Sequence, residues 1–231
     1  MSISTTPSSV PQKKRGMGCL GCGCLILVLI AILAAGVIAA ISYFGYKGVV
    51  SISSPTPLAV PSFQASDDVY NSARQKLDGF DHDVKNHQAA TIHLNADEIN
   101  ALITRSPEFT KFNIRAFVTI TNDEGRVQAN VPTSGLSQGL IKDRYFSLDT
   151  SFNLSFDPQT KNILVNFHTL QFGGKSLSGQ NGDNAAAMQS LSPAFNQSFN
   201  NAIRNNPDGA ALINQIKTLE IKDGELVIET Q

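Results

Sequence analysis

The segment Phe172-Gly173-Gly174-Lys175-Ser176 ends like a phosphate-binding loop. In that loop backbone N–H groups cradle phosphate and the lysine reaches the outer groups, which requires a further glycine at position 169 and a strand running into a helix. Position 169 is Thr169, and the segment follows a hairpin pattern. A turn built on permissive glycine is therefore expected. Asp81-His82-Asp83 and His87 supply metal-ligand types. His82 and His87 fall on different faces of a helix, and the two carboxylates sit among other charges, so a solvated surface is expected there. His93, Asp97 and His168 could form a site only if the fold assembles them, since no Gly-x-Ser-x-Gly surrounds any serine. Asn153-Leu154-Ser155 and Asn196-Gln197-Ser198 match the N-glycosylation acceptor, which matters only in a glycosylating host. No catalytic residue, metal site or cofactor emerges from these patterns.

Composition narrows the partners. The chain has 231 residues, 18 Lys+Arg against 19 Asp+Glu, and no tryptophan. A net charge of −1 and the lack of an aromatic platform argue against nucleic acid. Charged residues make up 16%, below the roughly 25% usual for a soluble domain, so part of the chain is expected to avoid water. The charges are also unevenly placed. Lys13, Lys14, Arg15 and Lys47 are the only ones before Asp67, and the remainder is net acidic.

Gly16 to Tyr46 carries no charge, and twelve of the twenty residues Leu25 to Phe44 are Leu, Ile, Val or Phe. As a helix that run is about 30 Å long, the thickness of a bilayer core. It is longer than a secretory h-region, and Ala39-Ala40-Ile41-Ser42 is a poor cleavage site. An uncleaved span is expected, with the basic N-terminus in the cytoplasm and the rest outside it. Cys19, Cys22 and Cys24 are the only cysteines and sit at the cytoplasmic mouth. They invite acylation or metal binding by thiolate, but one Cys-x-x-Cys without a second pair is weak for zinc. Small residues at a helix entry are the plainer reading.

Four regions follow: a basic cytoplasmic head at 1–18, a transmembrane helix at 19–46, a Pro/Ser-rich linker at 47–62 and an extracytoplasmic domain at 63–231. Pro55, Pro57 and Pro61 forbid a helix through the linker, which as an extended spacer would reach roughly 50 Å.

In the domain, Val69, Ala73, Leu77, Phe80 and Val84 lie on one helix face behind a Ser66 N-cap. Thr91 to Leu94 reads as a strand, and Asn95 to Glu98 as a capping box opening a second helix that Pro107 ends. Three hairpins are predicted. In the first, Ile120 pairs with Val127, Val118 with Ala129 and Ala116 with Val131. In the second, Phe156 pairs with Ile163, Leu154 with Val165 and Phe152 with Phe167; the pattern then flips to Leu170 and Phe172, which a bulge would produce. The third turns at Asp223-Gly224, pairing Ile221 with Leu226 and Leu219 with Ile228. Between the last two, Ser192-Pro193 is read as a helix start, with Phe195, Phe199, Ala202 and Ile203 as its face. One-sided alternation gives an α+β domain, an antiparallel sheet of hairpins with helices packed on one face.

With these segments in place, the chain resembles the YpmS-type proteins and their relatives, bacterial membrane-anchored extracytoplasmic proteins of largely unknown function. The likeness rests on Ile92 to Ile103, on the Phe156-Asp157-Pro158 hairpin ending in Leu170-Gln171-Phe172-Gly173-Gly174, and on Ile221 to Ile228, which is also similar to actinobacterial envelope proteins that bind lipid. Lys175-Ser176-Leu177 stands where that family usually has Leu-Pro after the glycine turn. The resemblance implies an integral envelope protein. The expected function is non-catalytic binding or scaffolding, of lipid or of another envelope protein. Phe167, Phe172, Phe195 and Phe199 are the candidates to line an apolar groove, with core packing as their alternative role. An envelope enzyme using His93, Asp97 and His168, or a subunit of an envelope assembly, are the other readings.

Overall fold

The computed structural model describes residues 53–136, 143–176 and 182–231, without the side chains of 135–136 and 182–191. The predicted span and the three cysteines lie outside the described residues. Among those residues, no helix is long and apolar enough to cross a membrane.

Helix α1 (Asp67–Lys85) begins where the Ser66 hydroxyl accepts the Val69 N–H at 3.3 Å, and it buries Ala73, Leu77, Phe80 and Val84. Strand β1 (Thr91–Asn95) leads into α2 (Ala96–Arg105) through a reciprocal capping box between Asn95 and Glu98. Glu98 is nonetheless buried, and Lys76 of α1 neutralises it at 2.8 Å. A short α3 (Pro107–Lys111) follows, with Pro107 starting it as well as ending its predecessor.

Strands β2 (Arg115–Thr121), β3 (Glu124–Pro132), β4 (Tyr145–Asp157), β5 (Asn162–Phe172) and β6 (Lys175–Ser176) form an antiparallel sheet in that order. A single turn of helix, α4 (Thr133–Leu136), interrupts the path from β3 to β4. The second hairpin has the predicted register, and the pairing slips between Ser151 and Phe152, skipping His168. The first hairpin differs: Val118 faces Val127 and Ile120 faces Gly125. Asn122 adopts φ 53°, so the chain turns on two residues, one step earlier than predicted. The shift keeps the parity of the faces, so the apolar side is unchanged.

Helix α5 (Gly182–Arg204) and α6 (Pro207–Gln215) precede β7 (Ile216–Lys222) and β8 (Glu225–Thr230). The predicted start at Ser192-Pro193 is corrected, since α5 begins at Gly182 and carries Pro193 inside it, where the ring leaves one helical hydrogen bond unmade. Gly209 permits α6 to fold back closely; a Cβ there would stand 2.5 Å from the Ile203 carbonyl oxygen. The third hairpin matches its predicted register, with Asp223 at φ 52° and Gly224 at φ 84°.

The structure is α+β with antiparallel sheets, but the hairpins divide between two sheets. The smaller has the order β1-β8-β7. The larger cannot readily accept these strands because side-chain amides close its edges. Asn100 of α2 donates to the Val118 carbonyl at 2.7 Å and accepts the Val118 N–H at 2.8 Å. Asn200 of α5 does the same to Ile163, at 2.8 Å both ways, and Asn196 to Val165. An asparagine amide presents the same donor and acceptor as a strand neighbour, and it ends the ladder. The sheets meet where Gly125 admits Ile221, and the Gly224 N–H donates to the Asn122 carbonyl at 2.9 Å.

The C-terminal part of the predicted linker is attached to the larger sheet. Ser54 exchanges backbone hydrogen bonds with Tyr145 at 2.9 and 2.8 Å. Leu58 donates to Asn130 Oδ1 at 2.9 Å and accepts from its Nδ2 at 2.7 Å, and Phe63 rests on Phe117. Folded structure thus begins ahead of the predicted boundary at residue 63.

Candidate functional site

Helix α1, helix α6 and the smaller sheet do not fill the space between them. Leu77, Phe80 and Val84 form one wall, spaced so that one helix face presents all of them. Leu219, Leu226 and Ile228 form the sheet wall. Phe199 and Ile203 of α5, Leu212 and Ile213 of α6, and Leu154 and Ile163 of the larger sheet complete it. The cavity has a volume of about 280 Å³. An apolar cavity of about 150 Å³ accepts a benzene ring, so this one has room for roughly twice that.

Polar groups stand at its margin. Lys85 pairs with Asp81 at 2.6 Å, and Asp208, His87 and Gln215 complete the rim. Asp81 holds the Lys85 ammonium above its usual range by hydrogen bonding and charge, with Asp208 adding attraction. Helix α6 positions Asp208 in its first turn, where a carboxylate suits the helix dipole, and Gln215 at its last residue. A wall of hydrocarbon with a polar margin binds apolar matter and orients it at one end.

Of the aromatic residues singled out in the sequence, Phe199 is on the cavity wall. Phe195 stacks on Phe199 with centroids 5.8 Å apart and meets Phe167 edge-on at 5.0 Å, and Phe152 continues the row. Phe195 is 4% exposed, so its truncation is expected to cost stability. Phe172 is buried opposite Leu148 at the other end of β5.

The other candidates are dispersed. His93 is exposed on the smaller sheet, with Nδ1 3.1 Å from Glu225 Oε2. Asp97 is exposed in the first turn of α2, and His168 is exposed on the larger sheet beside Asn153. Asp81 and His87 reach the rim, whereas His82 contacts Asp83 and Asn86 on the exposed helix. Among the described residues, no three His, Cys, Asp or Glu side chains gather as a metal site. Gly173 and Gly174 adopt φ 56° and 77° in the tight turn joining β5 to β6. The Asn196 amide is engaged by the Val165 backbone. Among the described residues, the exposed large apolar side chain is Phe112, with Lys111 over its ring.

No family model matches this chain, and no curated protein matches it.

Two further polar features are structural. A depression of about 260 Å³ beside β5 is lined by Asn196, Asn200 and Arg204, whose amides and guanidinium are already bonded to β5 and its preceding turn. On the larger sheet, Arg126 grips Asp149 through two bonds of 2.8 and 2.7 Å, and Gln128 adds a third at 3.0 Å. The Arg126 hydrogen bond holds the Asp149 carboxyl below the usual range, against the opposing effect of burial. A lowered folded value stabilises the fold above the unfolded carboxyl's range and loses that contribution as pH falls through the folded value. Asp149→Asn is therefore expected to flatten the decline of urea stability between about pH 5 and pH 2. An unchanged decline would assign acid sensitivity elsewhere.

Proposed function

We propose that this chain is a single-pass, membrane-anchored protein of the cell envelope whose extracytoplasmic α+β body captures a small apolar ligand. The observation that carries the reading is the apolar cavity between α1, α6 and the smaller sheet. The apolar run from Leu25 to Phe44 supports the anchor, and the basic residues before it support a cytoplasmic N-terminus. The resemblance to YpmS-type envelope proteins agrees with this placement.

The docked linker changes the expected geometry. From Phe44 to Ser53 the chain has nine residues, which extend to about 30 Å at most. The attached linker thus limits the body to that distance from the end of the proposed span, whereas a free 47–62 spacer would reach roughly 50 Å. Leu154, at the cavity, is nine residues along β4 from Tyr145, where the linker attaches. At strand rise that is about 30 Å. The cavity thus lies about that far along β4 from the point where the linker joins the body.

Filling the cavity tests the proposal. Leu212→Phe adds volume at its wall, and cavity filling commonly stabilises a fold. The full chain is extracted in lipid nanodiscs, and co-purifying small molecules are compared by mass spectrometry. The native chain is expected to hold a single-chain species above its level in the surrounding membrane. Leu212→Phe is expected to lose that species while melting no lower. Identical profiles with and without the filled cavity would overturn the reading.

A further inference from the structure

The cavity margin carries charge of both signs, unequally. Asp81 and Lys85 come from the C-terminal end of α1, and Asp208 from the first turn of α6. With histidine neutral, the charged side chains lining the cavity are two carboxylates and one ammonium, which leaves the negative sign in excess. The ammonium is already engaged. Lys85 bonds Asp81 at 2.6 Å, while Asp208 acts on it through charge at longer range. Among the described residues no cation forms an ion pair with Asp208. The helix ends leave this balance unchanged. At the margin α1 brings about half a negative charge at its C-terminus and α6 about half a positive one at its N-terminus, and the two offset. The margin is also wet. Asp208 and Lys85 are both exposed. A charged head placed there keeps much of its water, while the chain below it meets Leu77, Phe80, Leu212 and Ile213. A carboxylate head would meet two carboxylates, with the one cation bonded elsewhere. An uncharged head would be indifferent to all of them. An ammonium head gains the attraction of Asp208 without displacing Lys85 from Asp81.

We propose that the cavity takes a single-chain alkylammonium amphiphile, its hydrocarbon inside and its ammonium at the margin beside Asp208. This rests on the proposed apolar-ligand function and specifies its head group. No bond is made or broken.

The full chain in nanodiscs of zwitterionic lipid, which does not itself gather cations, is labelled with an uncharged dodecyl probe carrying a diazirine at the chain end. Dodecylammonium, dodecanol, laurate and dodecane then compete for labelling of residues 203–228, each counted by its concentration in the discs. Dodecylammonium is expected to compete about fivefold better than dodecanol, the ratio that about 1 kcal/mol of exposed ion pairing supplies. Raising the salt is expected to erase that advantage, since exposed charges are screened. Asp208→Asn is expected to remove most of it, and Lys85→Gln, which frees Asp81, to widen it. Both positions are exposed, so both variants are expected to fold, and a general loss of structure would not move the two in opposite directions. Equal competition by the ammonium and the alcohol in the native chain would overturn the head-group assignment while leaving the apolar site intact. Laurate competing best, or an ammonium advantage unmoved by Asp208→Asn, would overturn it too. No labelling of 203–228 would remove the site itself, and the functional proposal with it.

Discussion

Phe199→Ala is expected to unfold at a free energy about 3–5 kcal/mol lower than the native chain. The side chain is 0% exposed, stacks on Phe195 and forms part of the cavity wall. Large-to-small changes in a core lose transfer energy and leave a void, and the loss is greatest where neighbours cannot collapse inward. Here the neighbouring space is already empty, so truncation enlarges an existing cavity of about 280 Å³. Urea unfolding measures the effect, with Phe167→Ala as a comparison, because Phe167 is only half-buried. A loss below about 1 kcal/mol would mean that the aromatic row is not the core it is taken to be. The same variant separates packing from capture. A larger cavity still admits an alkyl chain, so labelling is expected to survive under conditions where the variant is folded.

Asn200→Ala is expected to cost about 3 kcal/mol and to lower the melting temperature by roughly 6–12 °C for a domain of this size. Asn200 is 2% exposed and satisfies both the N–H and the carbonyl of Ile163, itself 3% exposed. Alanine removes both partners at once and leaves two buried backbone groups unpaired. Asn200→Asp is expected to do no better, since its second oxygen would face the Ile163 carbonyl. Asn201 is exposed on the same helix, and Asn201→Ala serves as the control, with an expected change within about 0.5 kcal/mol. A melting temperature for Asn200→Ala close to the native one would show that water replaces the amide. Exposed β5 groups would also invite strand pairing between copies, so aggregation should accompany the loss of stability.

What the sequence made legible depended on how local the determinant was. The second and third hairpins were readable in register because Phe156, Ile163, Ile221 and Leu226 face each other across short turns. The first was not, because Asn122-Asp123-Glu124-Gly125 offers two turn placements that leave the same face apolar. The helix through Pro193 escaped because proline at a first turn is the commoner solution. The edge-closing role of Asn100, Asn196 and Asn200 could not be read at all. An asparagine in a helical pattern looks like any polar surface residue until the backbone it meets is known. That also explains why the hairpins were assigned to one sheet when they form two.

The candidate site was legible in one residue. Phe199 stood out as a large apolar side chain on an apolar face, but Phe195 on the same helix and Phe167 on a strand stood out in the same way and belong to the packed row. The cavity depends on a mismatch between α1, α6 and the smaller sheet, and no sequence pattern encodes a space left unfilled. Helix α6 supplies Asp208, Leu212 and Gln215. The signal that was available was the run Ala211, Leu212, Ile213 and Ile216, more apolar than a connecting segment needs.

The most direct measurement of the central claim is a peptide map of where an alkyl diazirine attaches to the full chain in nanodiscs. The account predicts labels in residues 203–216 and 219–228, abolished by Leu212→Phe without a fall in melting temperature. Labels confined to residues 25–44, or body labels indifferent to the filled cavity, would contradict it.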